Sequence, residues 1–198
     1  VAADTFVQLN HMNIIGGMVV ILGDDPGANS SQNEQDNRHL AKLSFTPVFE
    51  PPAPAEVYSY YLAAAKLARE KGMAVILRLT THVCHAKAKV SFGGWQPAAV
   101  DNTPRFDRAN GPYVPITVEV APMKRRALKN IAQVAEYAET SPLHTHFDNG
   151  NAQRGIITMG LTTLSLLDVL EQCGEKPRPD ILSLAIVHPL PRKLIKDF

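Results

Sequence analysis

Short apolar runs at residues 18–22 (MVVIL), 73–79 (MAVILRL) and 181–187 (ILSLAIV) have the length and composition of strands buried on both faces. Residues 47–51 (PVFEP) predict a short strand edged by prolines, and 154–160 a strand ending in glycine. Residues 113–120 alternate and predict an extended strand. Between these runs the apolar positions recur at three and four. The clearest helix spans 56–71, with Pro54 near its start, Gly72 at its end and an inward stripe of Val57, Tyr60, Tyr61, Ala64, Leu67 and Ala68. A second spans 122–140, with Ala127, Ile131, Val134, Ala135 and Ala138 on one face. A third spans 162–173, apolar at Leu164, Leu167, Val169 and Leu170 and closed by Gly174. Shorter helices are predicted at 3–12, 32–43 and 192–198. Strands alternating with helices predict an α/β fold, a mostly parallel sheet flanked by helices.

Two stretches break the periodicity. Residues 87–111 are punctuated by Gly93-Gly94, Pro97, Pro104 and Gly111-Pro112 and read as a linker or long excursion. Residues 141–153 read as a second polar linker. The strand–helix–strand unit that begins near 154 has only two strands by residue 198, and the chain opens on Val1 without an initiator methionine. An internal piece of a longer protein is therefore expected.

Composition narrows the classes. The chain is 45% hydrophobic and 20% charged, with a formal net charge of +1. That balance fits a globular protein and argues against bulk electrostatic binding of nucleic acid or of a membrane surface. No apolar run approaches the ~20 residues of a membrane helix. Cys84 and Cys173 have no CxxC partner, which excludes a cysteine-based zinc or iron–sulfur site within these residues and gives no sign of a disulfide framework; a cytoplasmic location is expected. His144, His146 and Asp148 could share a metal, but the spacing matches no metal signature and a polar linker is the simpler reading. Lys124-Arg125-Arg126 and Lys129 read as a solvated helix face rather than a phosphate patch.

The chemistry concentrates after the first strand. Residues 23–31 (GDDPGANSS) are turn formers and small polar groups at the carboxyl end of a buried strand, the place where open α/β sheets bind ligands. Asn29, Ser30, Ser31 and Gln32 are the candidate donors toward a ligand, on a ligand-facing loop that also carries Asp25. Asp24 and Asp25 are expected to cap backbone N–H groups, with Glu34 completing the cap from within the helix. His85, just beyond the strand at 73–79, is a candidate to face a substrate or to make a structural hydrogen bond. The bland alternative for the whole loop is a surface turn.

The strings GDDPGANSSQNEQDNRHLAKLSFTPVFEP and VILRLTTHVCH, continuing into RGIITMG and LAIVHPLPRKLIKDF, closely resemble the alpha subunits of the indolepyruvate ferredoxin oxidoreductases. Those belong to the thiamine diphosphate-dependent 2-oxoacid:ferredoxin oxidoreductases. The resemblance implies that residues 1–90 are the C-terminal part of a pyrimidine-binding domain, 91–153 a linker with a strand and a helix, and 154–198 the start of a transketolase C-terminal-like domain. It implies a parent enzyme that oxidatively decarboxylates an aryl 2-oxoacid such as indolepyruvate to an acyl-CoA and passes electrons to ferredoxin. It also implies thiamine diphosphate, Mg²⁺ and 4Fe–4S clusters in that parent, a second (beta) subunit and a homodimer. No bound cofactor, no metal and no activity are expected of these residues by themselves, since the catalytic glutamate, the diphosphate domain and the cluster region fall outside them in the family's order. His82 and Cys84 stand where the family commonly has Arg and Ser. The loop 24–33 becomes the expected substrate- and cofactor-facing wall. Two other readings stand beside this one: a small α/β protein binding a carboxylate or phosphorylated ligand at the same loop, and a non-catalytic structural subunit with a thiamine-enzyme fold.

Overall fold

The computed structural model describes residues 2–27, 32–91, 93, 106–151, 153–174 and 176–198. The fold is α/β. Strands Met18–Asp24 (β1), Val48–Phe49 (β2) and Ala74–Thr80 (β3) run parallel, with β3 in the centre. Thr145–Phe147 (β4), Gly155–Met159 (β5) and Asp180–Leu184 (β6) make a second sheet in the order β4-β6-β5, and Ile186–His188 (β7) joins the first sheet antiparallel to β2. Each sheet is thus parallel, three strands in the first and two in the second, with one antiparallel edge strand added.

The first sheet is covered on both faces. Because side chains alternate along a strand, Val75 and Leu77 of β3 point to one side and Ile76 to the other. On the first side they meet Tyr60, Ala64, Leu67 and Ala68 of helix Val57–Lys71 (α3), with Val134 and Ala138 of helix Val120–Glu139 (α5). On the second, Ile76 and Val48 meet Ala41 of helix Arg38–Leu43 (α2), Val187 of β7 and Phe6 of helix Ala2–Gln8 (α1). Asn10 locks α1's end to this core: buried, it accepts from Ala74 N at 2.7 Å and donates to Thr46 Oγ1 at 2.9 Å. Helix Thr162–Cys173 (α6) lies against the second sheet, where Thr163 and Ser183 share a buried hydroxyl bond of 2.8 Å.

Several expectations are corrected here. β1 is an edge strand, not one buried on both faces: Ile21 is 63% and Met18 41% exposed. The polar residues 32–37 hold no helix; α2 begins at Arg38. Tyr61 leaves the inward stripe and is exposed, as are Leu164 and Val169 of α6. Residues 113–120 form no strand: Thr117–Glu119 is a 3₁₀ turn leading into α5, and Val114, Ile116 and Val118 are exposed. Their alternation lacks a partner strand, which is what alternation needs to become sheet. The run 181–187 is two strands in two sheets, broken at the fully buried Ala185.

The break at Ala185 explains His144, expected in a polar linker. Its Nδ1 accepts from Ala185 N at 2.9 Å and its Nε2 reaches Ala138 O at 2.8 Å, so both nitrogens are used and the ring is the neutral Nε2–H tautomer. His146 instead packs edge-on against Phe198, and Asp148 accepts from Gly150 N. Among the described residues no group of three or more His, Cys, Asp or Glu could hold a metal. Burial pushes the His144 pKa below its ordinary 6.5, and burial does the same to His188, helped by the nearby Lys42 charge. With the folded pKa depressed, the unfolded chain binds protons first as pH falls below 6.5, so stability is lost downward through that window. The urea midpoint should fall between pH 7.5 and 5.5, and His144→Gln should fall less steeply over the same interval.

Candidate functional site

The carboxyl ends of β1, β2 and β3 meet beside the end of β5, and what lies there is charged. The period of two puts Asp24 on the same face as Leu22, Glu50 on the same face as Val48, and Arg78 on the same face as Ile76. The register sets Leu22 beside Arg78 and Val48 beside Ile76, so the three charges converge. Arg78 is 2% exposed. Its Nε donates to Asp24 Oδ2 at 2.5 Å and its Nη1 to Glu50 Oε1 at 2.8 Å. Such a pair is strong only where further bonds satisfy the remaining lone pairs. Asp24 has them: Asn37 N donates at 3.1 Å and Asn37 Nδ2 at 2.7 Å.

A second ion pair borders the first. Arg38 grips Asp36 through Nε and Nη2 at 2.8 and 2.7 Å, and its Nη1 lies 3.8 Å from Glu50 Oε2. The fork from Arg38 holds the Asp36 carboxyl down at about 2. Three carboxylates face two guanidiniums, and the buried Arg78 Nη2, Glu50 Oε2 and Thr80 Oγ1 have no hydrogen-bond partner. Arg78 Nη2 stands 4.0 Å from Asp36 Oδ1. Gaps of this width are the kind a bridging water spans.

The two sheets are tied at this point. Glu50 N donates to Ala185 O at 2.9 Å, and Arg38 Nη1 reaches Met159 Sδ at 3.6 Å at the end of β5. Gly160 follows with φ +52°, so close that a side chain there would strike the Glu50 carboxylate.

The residues singled out from sequence fall around this cluster. Asp24 caps backbone as expected, through Asn37 N, but its main engagement is Arg78. Asp25 is half-buried; it accepts from Thr81 Oγ1 at the start of helix Thr81–His85 (α4), which ties the loop to the end of β3. Gln32 and Glu34 are exposed, and His85 is exposed at the last position of α4. Asn29, Ser30 and Ser31 lie outside the described residues. Arg78, Glu50, Arg38 and Asp36 were not anticipated. The signal was present: an arginine inside the apolar run VILRLT demands buried counter-charges.

No family model matches the chain. Three curated proteins named indolepyruvate oxidoreductase subunit IorA align with all of it. That of Methanothermobacter thermautotrophicus is 33% identical over 200 residues, that of Archaeoglobus fulgidus 32% over 203 and that of Pyrococcus horikoshii 33% over 202. The chain is similar to the IorA subunits over its whole length. It spans about a third of their length, 31–32%. In fold it is similar to a 2-oxoglutarate:ferredoxin oxidoreductase from Magnetococcus marinus, solved with 2-oxoglutarate, coenzyme A and succinyl-CoA bound, at a TM-score of 0.67 and 14% identity, covering 99% of this chain and 42% of that one. The stretch that is similar to IorA thus includes both sheets.

Proposed function

We propose that these residues form part of an IorA-type subunit of a thiamine-dependent 2-oxoacid:ferredoxin oxidoreductase, and that the loop after β1 lines its substrate site. The parent would act on an aryl 2-oxoacid, give an acyl-CoA, pass electrons through iron–sulfur clusters to ferredoxin and work with a second subunit in the cytoplasm. The observation that carries this reading is similarity to IorA across the entire chain, with the Asp24–Arg78–Glu50 cluster setting the loop at the carboxyl ends of the strands.

The described residues do not suit the diphosphate and Mg²⁺ ends of the cofactor. Asp24 and Glu50 are committed to Arg78, and Asp36 to Arg38. These residues therefore bind and orient rather than coordinate. Asp25 and Thr81 hold the loop's first turn against β3. Gln32 on the exposed side, with Asn29, Ser30 and Ser31, supplies neutral donors suited to a 2-oxoacid carboxylate. Residues 1–198 by themselves are expected to be inactive.

The test is viologen or ferredoxin reduction by the intact parent with coenzyme A and a panel of 2-oxoacids. Aryl 2-oxoacids should be turned over. Ser31→Ala with Gln32→Ala should raise KM about tenfold, the worth of one or two neutral hydrogen bonds. Unchanged KM and kcat would remove the loop from the substrate site, and turnover by residues 1–198 alone would overturn the assignment to a longer enzyme.

A further inference from the structure

A cleft of about 800 Å³ opens between α2, α5 and the turn from β7 into helix Arg192–Asp197 (α7). Its volume is that of a small-molecule site. One wall is apolar, made by Ile131 and Ala135 of α5 with Val187, Pro189 and Leu190. The other carries Arg38, Lys42 and Arg192 against Asp36 and Glu139.

The two carboxylates are already spent. Asp36 is held in a two-bond fork by Arg38. Glu139 accepts from Lys193 N at 3.1 Å and Leu194 N at 2.8 Å, capping α7, and these bonds hold its pKa below the ordinary glutamate value. Lys42 and Arg192 have no carboxylate at ion-pair distance among the described residues. The cleft therefore presents two cations in no ion pair, and three cations against two carboxylates in all, beside an apolar surface. That combination suits neither a neutral hydrophobic ligand, which would leave the cations buried beneath it, nor a bare inorganic ion, which would leave the wall unused.

We propose that this cleft binds an organic anion with an apolar body, its carboxylate or phosphate taken by Lys42 and Arg192 and its body laid on the α5 wall. Arg192 can offer a planar fork to either headgroup, and Lys42 a point charge. The cleft borders the loop after β1 through Asp36, but Lys42 and Arg192 lie outside that loop, and the inference does not rest on the proposed enzyme activity.

Isothermal titration of the full chain at low salt tests it, with indole-3-acetate, phenyl phosphate, neutral indole-3-acetamide and inorganic phosphate as probes. At least one of the two organic anions should bind at least tenfold tighter than both the amide and inorganic phosphate, and the tighter of the two names the headgroup. Lys42→Gln with Arg192→Gln should weaken that anion at least tenfold; both side chains are exposed, so the unfolding midpoint should not move. Lys66→Gln, on the far surface of α3, should bind as the parent chain does. The proposal is overturned if neither organic anion binds, if the amide or inorganic phosphate binds as tightly, or if the double variant keeps its affinity. The readout needs neither turnover nor cofactor, so failure of the oxidoreductase reading would leave it standing.

Discussion

Arg78→Met should destabilise the chain by about 3–5 kcal/mol, the cost of removing one partner of a buried ion pair. The physical reason is what stays behind. Asp24 and Glu50 lie under a closed surface, with side chains 0% and 5% exposed, and each would lose its guanidinium at 2.5 and 2.8 Å. Methionine fills most of the volume, so the loss is electrostatic rather than a cavity effect. Arg78→Lys should recover only part of it, because a single ammonium cannot serve carboxylates on two different strands at once. Urea denaturation measures the effect. The decisive comparison is Arg78→Met with Asp24→Asn: neutralising the stranded carboxylate should make the pair cost less than the sum of its parts by 1 kcal/mol or more. Strict additivity would show that Arg78 and Asp24 are not coupled.

The period-two and period-3.6 patterns were legible where burial is two-sided or one-sided in a simple way. β3 is the case in point: six of its seven positions are buried, Arg78 and Thr80 among them, as its largely apolar run implies. The face of α5 was legible too, except that Ile131 and Ala135 are only half-buried and line a cleft. What failed was any inference that needed a neighbour. MVVIL in β1 has a core-strand composition, yet β1 stands at the sheet edge with Ile21 bare. Composition reports what a strand could bury, not what stands beside it. Tyr113 to Val120 alternates with no strand to pair with. The run at 181–187 hid a change of sheet, because Ala185 is as apolar as its neighbours and the break is made by hydrogen bonds from residues far away in sequence.

The candidate site was half legible. The polar loop after β1 stands out through its residue types, and Asp24 does cap a backbone N–H, whereas Asp25 tethers the loop through the Thr81 hydroxyl instead of capping backbone. The cluster beneath it is hidden because its charges are far apart in sequence and follow or interrupt apolar runs: Asp24 after MVVILG, Arg78 within VILRLT, Glu50 after VF. Taken one at a time such residues look like strand-end solubilisers. Taken together they could not all be solvated if the strands are adjacent, and their equal positions two residues beyond a core side chain were the available clue.

Gly160→Ala should cost about 3 kcal/mol or more, and the cost should pass through Glu50. Part of it, about 1 kcal/mol, is the left-handed backbone at φ +52°. The larger part is collision. An added methyl meets the Glu50 carboxylate, which is fixed from behind by Arg78 Nη1 and at its own backbone by Ala185 O. Either Glu50 swings away and Arg78 loses a buried partner, or the turn after β5 retreats and draws α6 with it. Gly174→Ala is the internal reference: its φ is +61° but nothing lies within 4 Å of the new carbon, so it should cost only about 1 kcal/mol. Combining Gly160→Ala with Glu50→Ala should cost less than the sum, since the second change removes the group that the first one strikes. If the two add without coupling, the tie between the sheets at this point does not run through the Glu50 side chain. If they couple, the residue that completes Arg78's charge balance is also the one that fixes how closely the second sheet approaches the loop after β1, so that loop's geometry and the seating of the two sheets are set by one carboxylate.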